Sequence, residues 1–319
     1  MELRQLRYFV AIVDHGSLSR AARVLHIAQP ALTQQLRQLE QELGAQLLHR
    51  SAQGVLSTDA GKLFYEHAQA ILKQVGDARS AVTQSLNTPT GTVALGLPQS
   101  ISGALALPLL TAIRETYPEI TLQLTEELSG SLIEQLKSGR INLAVLFDDG
   151  QLSAFTSTPL VEEEMMFIAR SGSRFVTGGP SIALADAVQL PLILPGLQHG
   201  VRPRIENIVR SAGLSIAHVI DINSIAILKS ALLADLGATI LPVAPVLAEI
   251  ERGDMVAQTI SGAQISRTVA LCASKNIPLT NAAAAVERLV LEVTQTLCGS
   301  GRWLGAHALQ PPVAGTDGS

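Results

Sequence analysis

The residues best suited to chemistry with another molecule are Gln29, Thr33, Gln34 and Arg37, in the stretch AQPALTQQLRQLEQEL at 28–43. A side-chain amide matches the edge of adenine and a guanidinium that of guanine, so this set suits base reading in a major groove. The spacing decides what must hold them. On a helix, Leu32, Leu36, Leu39 and Leu43 fall on one stripe at intervals of 4, 3 and 4, with Pro30, Gln34, Arg37 and Gln41 opposite. Pro30 suits a first turn, where its missing N–H would have no partner anyway. So short a helix is marginal alone, and its leucines must dock on other elements. The wheel alone leaves an alternative open, a solvated face on an ordinary core helix.

The preceding residues narrow that choice. Residues 18–25 (LSRAARVL) make an amphipathic helix with Leu18, Ala21, Ala22 and Leu25 inward and Ser17 as N-cap. A tight turn at His26, Ile27 and Ala28 follows. Two short helices crossing at alanines form a helix-turn-helix, whose second helix enters the major groove. Residues 3–14 supply a third helix, with Leu3, Leu6, Phe9, Val10 and Val13 on its inner face. Residues 47–56 (LLHRSAQGVL) read as two strands around a bend that Gly54 permits. This wing offers Arg50 to phosphate or the minor groove.

Residues 1–86 resemble the LysR-type transcriptional regulators. The matching residues are LRQLRYFVAIVDHGSLSRAARVLHIAQPALTQQLRQLEQELGAQLLHR, followed by GVLSTDAGK. Ala28 and Thr33 stand where Ser is usual, and Gln53 where the wing is usually basic, which leaves Arg50 as the wing cation. Within the family, VLHIAQPAL, AGK and PLL are most similar to the nitrogen-assimilation-control subgroup. The resemblance implies that Gln29, Pro30, Thr33, Gln34 and Arg37 meet double-stranded DNA in the major groove, and Arg50 its backbone or minor groove. It also implies a small-molecule effector, RNA polymerase as downstream partner, and a homodimer or homotetramer built partly through effector domains.

Thr58 caps a long helix, with Asp59 at its positive end. Phe64, Ala68, Ile71, Val75, Ala78 and Val82 recur along it at 4, 3, 4, 3 and 4. This heptad pattern fits a partner helix from a second copy, with packing on its own domain as the alternative. A dimer matches the two-fold symmetry of operators. Asn87–Gly91 (NTPTG) ends the helix. The expected division is a winged helix-turn-helix at 1–58, a dimerising linker helix and hinge at 59–90, a regulatory domain at 91–297 and a disordered tail at 298–319. Trp303 has no evident core to join.

Beyond residue 91, strand and helix patterns alternate, which implies parallel sheet covered by helices. Strands are expected at 92–97, 120–126, 143–147, 160–169, 191–195, 218–222, 238–241 and 268–273. Helices are expected at 105–116, 131–138, 201–212, 224–235 and 281–297. The fold class is thus α/β with an N-terminal all-α winged helix-turn-helix. Its effector domain of two lobes resembles periplasmic binding proteins.

In such sheets ligands bind beyond the carboxyl ends of strands, where helix N-termini offer free N–H groups. Four such places carry polar residues: Ser100 and Ser102; Ser129 and Ser131; His199 and Gly200; and Ser224 beside Asn223. Each is also an ordinary helix cap. Together they suit a small polar or anionic effector.

The totals exclude other classes. At 319 residues the chain exceeds one ordinary core. The net charge is −4, yet residues 1–86 hold nine basic against seven acidic residues while the remainder is acidic. That asymmetry suits DNA contact at the N-terminal end. Cys272 reads as core and Cys298 as a helix end, neither part of a disulfide framework. The seven His show no ligand spacing, so no metal and no cofactor are implied. No stretch suits a signal peptide or a bilayer span, which implies a cytoplasmic protein. There is no nucleophile elbow, P-loop or dinucleotide fingerprint, and no catalytic residue is assigned. Asp148-Asp149 and Glu162–Glu164 read as solvated charges. Two further readings remain: an architectural DNA binder, and a regulator controlled by abundance or a protein partner without an effector.

Overall fold

The computed structural model describes residues 1–51, 54–83, 89–148, 150, 152–196 and 201–309. Gln53, Asn87, Asp149, His199 and Gly200 lie outside the described residues. The chain divides into an N-terminal unit, up to about the end of the long helix, and a larger unit beyond it.

The N-terminal unit contains α1 (Leu3–His15), α2 (Leu18–Val24), α3 (Gln29–Leu43), β1 (Leu48–Ser51), β2 (Gly54–Ser57) and α4 (Asp59–Thr83). Ser17 caps α2 by accepting from the Arg20 N–H. Leu6, Phe9 and Ile12 of α1, Ala21 and Ala22 of α2, and Leu32, Leu36 and Leu39 of α3 share one core. Burying each leucine contributes roughly 1.5–3 kcal/mol, which docks a helix too short to persist alone. Two residues assigned inward are instead exposed, Leu3 at 39% and Leu43 at 40%. They are the first residue of α1 and the last of α3, beyond the reach of the shared core. At the start of α4, a Cβ on Gly61 would lie 2.0 Å from the carbonyl oxygen of Leu47, so only glycine fits there.

The larger unit has two lobes. In chain order its elements are β3 (Gly91–Pro98), α5 (Gln99–Thr116), β4 (Ile120–Glu127), α6 (Ser129–Ser138), β5 (Leu143–Phe147), β6 (Phe155–Glu164), β7 (Met166–Arg170), β8 (Ser181–Ala183), α7 (Leu184–Ala187) and β9 (Pro191–Leu194). There follow α8 (Val201–Ser211), β10 (His218–Asp221), α9 (Ile225–Leu233), β11 (Thr239–Leu241), α10 (Leu247–Glu251), β12 (Met255–Ser261), β13 (Ser266–Ser274), α11 (Asn281–Gly299) and β14 (Ala306–Ala308). The first lobe is a six-stranded sheet ordered β14-β6-β13-β5-β3-β4. The second has a four-stranded sheet, β11-β7-β12-β8, and a parallel pair, β9 and β10.

Three expectations are corrected here. The main sheet is mixed, parallel only across β4, β3 and β5, because β13 runs antiparallel to both its neighbours. Residues 160–169 are not one strand: the chain leaves the first lobe at the end of β6 and enters the second at β7. At that crossing the Met165 N–H donates to the carbonyl of Ile265, at 2.7 Å, where the chain returns. The segment after α11 is not a loose tail as far as it is described. Trp303 is 1% exposed in the first-lobe core, and β14 pairs with the edge of β6.

Candidate DNA-reading face and effector cavity

On α3, Gln29, Pro30, Gln34 and Arg37 are exposed, and Thr33 is half-buried. The buried leucines fix this face by holding the opposite side. The Ser19 hydroxyl donates to Gln29 Oε1 at 3.3 Å, tying the start of α3 to α2. Glu40, on the inner edge of α3, accepts from the backbone N–H groups of Leu47 and Leu48 at 2.8 and 3.2 Å. Arg50 sits on β1, opposite Val55 of β2. Its side chain lies outside what is described. Thr58 Oγ1 caps α4 by accepting from the Gly61 N–H at 2.9 Å.

On α4 the heptad residues divide. Phe64 packs edge-on against Phe9 at 5.1 Å, and Ala68 is wholly buried in the same core. Ala78 and Val82 are exposed, Ile71 is 37% exposed, and Val75 is half-buried. The seam therefore serves its own domain at one end and is open at the other.

Between the two lobes lies a cavity of about 110 Å³. Ser100 from the first turn of α5 and Ser129 at the start of α6 line it. Val201 and Ile225, the first residues of α8 and α9, line it from the other lobe. Four helix N-termini thus meet there, each an end of positive potential. Ser102 and Ser131 do not line it. Their hydroxyls hydrogen-bond to the carboxylates of Glu126 and Glu127. Ser224 caps α9 by accepting from the Ile227 N–H.

The cavity also holds a residue that the sequence did not point to. Arg267, on β13, lines it while only 3% exposed. Its Nε and Nη2 both reach Glu163 Oε2, at 2.8 and 2.6 Å. Nη2 also donates to Ser100 Oγ at 3.1 Å. Its guanidinium stacks on Phe147 at 3.9 Å from the ring centre. Nη1 is buried and has no hydrogen-bond partner among the described residues. Burial pulls the Arg267 pKa down, with Arg204 acting in the same direction, while Glu163 opposes both. Arginine nonetheless stays charged in proteins. Glu163, read as a solvated charge, is 1% exposed, because it faces this guanidinium and the indole of Trp303.

The cysteines do no comparable work. Burial pushes the Cys272 thiol up to about 12 and the Cys298 thiol up to about 11. Among the described residues no cluster of side chains could hold a metal, and no helix is long and apolar enough to cross a membrane.

Residues 3–62 match the bacterial regulatory helix-turn-helix proteins of the lysR family, and residues 86–295 match the LysR substrate binding domain. The chain belongs to the LysR family. Its members here are transcriptional regulators, not enzymes, and the chain is a DNA-binding regulator with an effector-binding domain. It is 36% identical to the nitrogen assimilation regulatory protein nac of Klebsiella aerogenes, over 92% of this chain and 95% of that one. It is 29% identical to the hydrogen peroxide-inducible genes activator of Pectobacterium carotovorum subsp. carotovorum, over 88% and 92%. A full-length OxyR variant from Pseudomonas aeruginosa superposes with a TM-score of 0.69 at 21% identity, covering 98% of this chain and 99% of that one. Full-length CbnR, solved with its target DNA, gives 0.67 at 23%, covering 92% and 100%. These two structures share the fold of this LysR chain.

Proposed function

We propose that this LysR regulator reads its operator through Gln29, Thr33, Gln34 and Arg37 and answers to a small anion held between the lobes by Arg267. The observation that carries the second half is Arg267 lining a cavity ringed by four helix N-termini. A guanidinium and converging helix N-termini favour an anion, which they hold with charge-assisted bonds. Ser100 and Ser129 add a hydroxyl and a helix start on the same side. The volume suits a carboxylate-sized group rather than a large cofactor.

Two copies are proposed to join through the open end of α4, and four through effector domains, where Leu107 of α5 is 73% exposed. RNA polymerase is the proposed downstream partner. An effector acts only if it favours one lobe arrangement over another. The test is a thermal-shift titration with acetate, malonate and sulfate, comparing wild type with Arg267→Gln. A shift present in wild type and absent in the variant supports the reading. Equal shifts place the ligand elsewhere, and no shift with any probe favours control by abundance or a protein partner.

A further inference from the structure

The lining of the cavity divides by lobe. Its charged residues, Arg267 and Glu127, belong to the first lobe, as do Ser100 and Ser129. Among the described residues, the second lobe contributes Pro195, Val201, Ile222, Ile225 and Leu241, with one amide, Asn223. That amide is already engaged, since Asn223 Oδ1 accepts from the Gly196 N–H at 2.7 Å. Arg204 of α8, whose charge Arg267 feels, is exposed and does not line the cavity. The helix starts differ in the same way. Those of α5 and α6 present Ser100 and Ser129, whereas those of α8 and α9 present Val201 and Ile225. The Ser100 hydroxyl accepts from Arg267 at 3.1 Å and donates to no described residue, so its proton is free for a carboxylate. The Glu127 carboxylate is occupied by the Ser131 hydroxyl.

We propose that the effector is a short-chain monocarboxylate, with its carboxylate at Ser100 and Arg267 in the first lobe and its apolar chain against Val201, Ile222, Ile225 and Leu241 in the second. This inference rests on the cavity being an anion site and names the kind of anion. A second carboxylate at the far end would be stripped of water against apolar side chains, which is costly. An inorganic anion would engage the first lobe and gain nothing from the second. A ligand that spans both walls binds better with the lobes together than apart, which is what an effector must do. The cavity, at about 110 Å³, limits the chain to a few carbons.

The test uses the full chain and calorimetric titration at neutral pH. Its probes are acetate, propionate and butyrate, with succinate as the doubly charged counterpart of butyrate and butyramide as the uncharged one. Each added CH₂ should tighten binding roughly fourfold, as expected for burying one methylene. Succinate should bind roughly tenfold or more weakly than butyrate, because its second charge must be buried. Two variants separate head from chain. Ser100→Ala should weaken acetate and butyrate by the same factor. Ile225→Ala, at the half-buried first residue of α9, should weaken butyrate severalfold more than acetate. Affinity that is flat from acetate to butyrate, or succinate bound as tightly as butyrate, overturns the proposal and leaves the anion site standing. So does an Ile225→Ala variant that weakens the two alike or not at all. If that variant does not fold, the wild-type series and succinate decide. Butyramide bound as tightly as butyrate removes the anion site and this inference together, as does no binding of any probe.

Discussion

The carboxylate of Glu40 holds the backbone N–H of Leu47 at 2.8 Å, and that of Leu48 beside it. A side chain of α3 thus ties down the start of β1. This contact and the shared core together fix how α3 meets β1.

Glu40→Ala should therefore weaken operator binding although Glu40 faces away from the reading surface. Each hydrogen bond to a charged group contributes about 1.5–3 kcal/mol, less where solvent reaches it, as at this half-buried position. Denaturant unfolding should register the loss, and fluorescence anisotropy a drop in affinity. Glu40→Gln, which keeps an acceptor oxygen, should be milder. Wild-type affinity and stability in Glu40→Ala would show that the wing holds its place without this bond.

Arg37 is exposed on α3 and takes no part in the core. Arg37→Ala should leave the melting temperature unchanged and cost about 1–3 kcal/mol of discrimination between the operator and a scrambled duplex. The comparison must be made at one salt concentration, because phosphate contacts shift with salt. An equal loss on both duplexes would mean that Arg37 contacts backbone rather than bases.

Two of the serines chosen from sequence for one role do different things. Ser100 lines the cavity and accepts from Arg267, whereas Ser131 does not line it and donates to Glu127. Ser100→Ala should weaken the malonate response severalfold, and more than Ser131→Ala does. A matched loss in both variants would count against the cavity as drawn.

Those serines mark where the sequence stopped being legible. The helix-turn-helix could be read because its determinants are local: a leucine stripe, crossing alanines and a cap, all within 30 residues or so. The cavity's surroundings could be read in part, because helix starts after strands recur in α/β domains. Arg267 could not. It stands in an apolar strand, and its partner Glu163 is 104 residues away. Trp303 reads as part of a tail because the segment around it is rich in Gly and Pro; its core comes from β6, β13 and α11. The α4 seam was half misread for a related reason. Periodicity shows that a face is apolar, and Phe9 decides which surface covers Phe64.

A relative named as an activator of hydrogen peroxide-inducible genes invites a test of the thiols. A thiol held at about 11 or 12 is thiolate in roughly one molecule in ten thousand or fewer at neutral pH, and the thiolate is the nucleophile. Peroxide at concentrations that oxidise reactive cysteines should leave operator binding unchanged. Both thiols should remain titratable after unfolding. Reactivity should appear only as the pH rises toward these values. Rapid sulfenic acid formation at pH 7 would contradict the burial that raises them.

Along α4, Ala68 and Ile71 separate folding from assembly. Ala68 is sealed in the N-terminal core, so Ala68→Asp buries an unpaired charge within one chain and should unfold that unit. Ile71 is 37% exposed in the single chain and is covered only if a second helix lies on the open end of the seam. Ile71→Asp should therefore fold normally and fail to pair. The penalty for an uncompensated charge between helices is about 3–5 kcal/mol, enough to dissociate a dimer at working concentrations. Sedimentation should show smaller particles. Circular dichroism of the N-terminal unit should keep its helical signal, and affinity for a two-half-site operator should fall far more than affinity for one half-site. An intact dimer in Ile71→Asp would mean that α4 pairs along another face, with exposed Leu63 as the next residue to change.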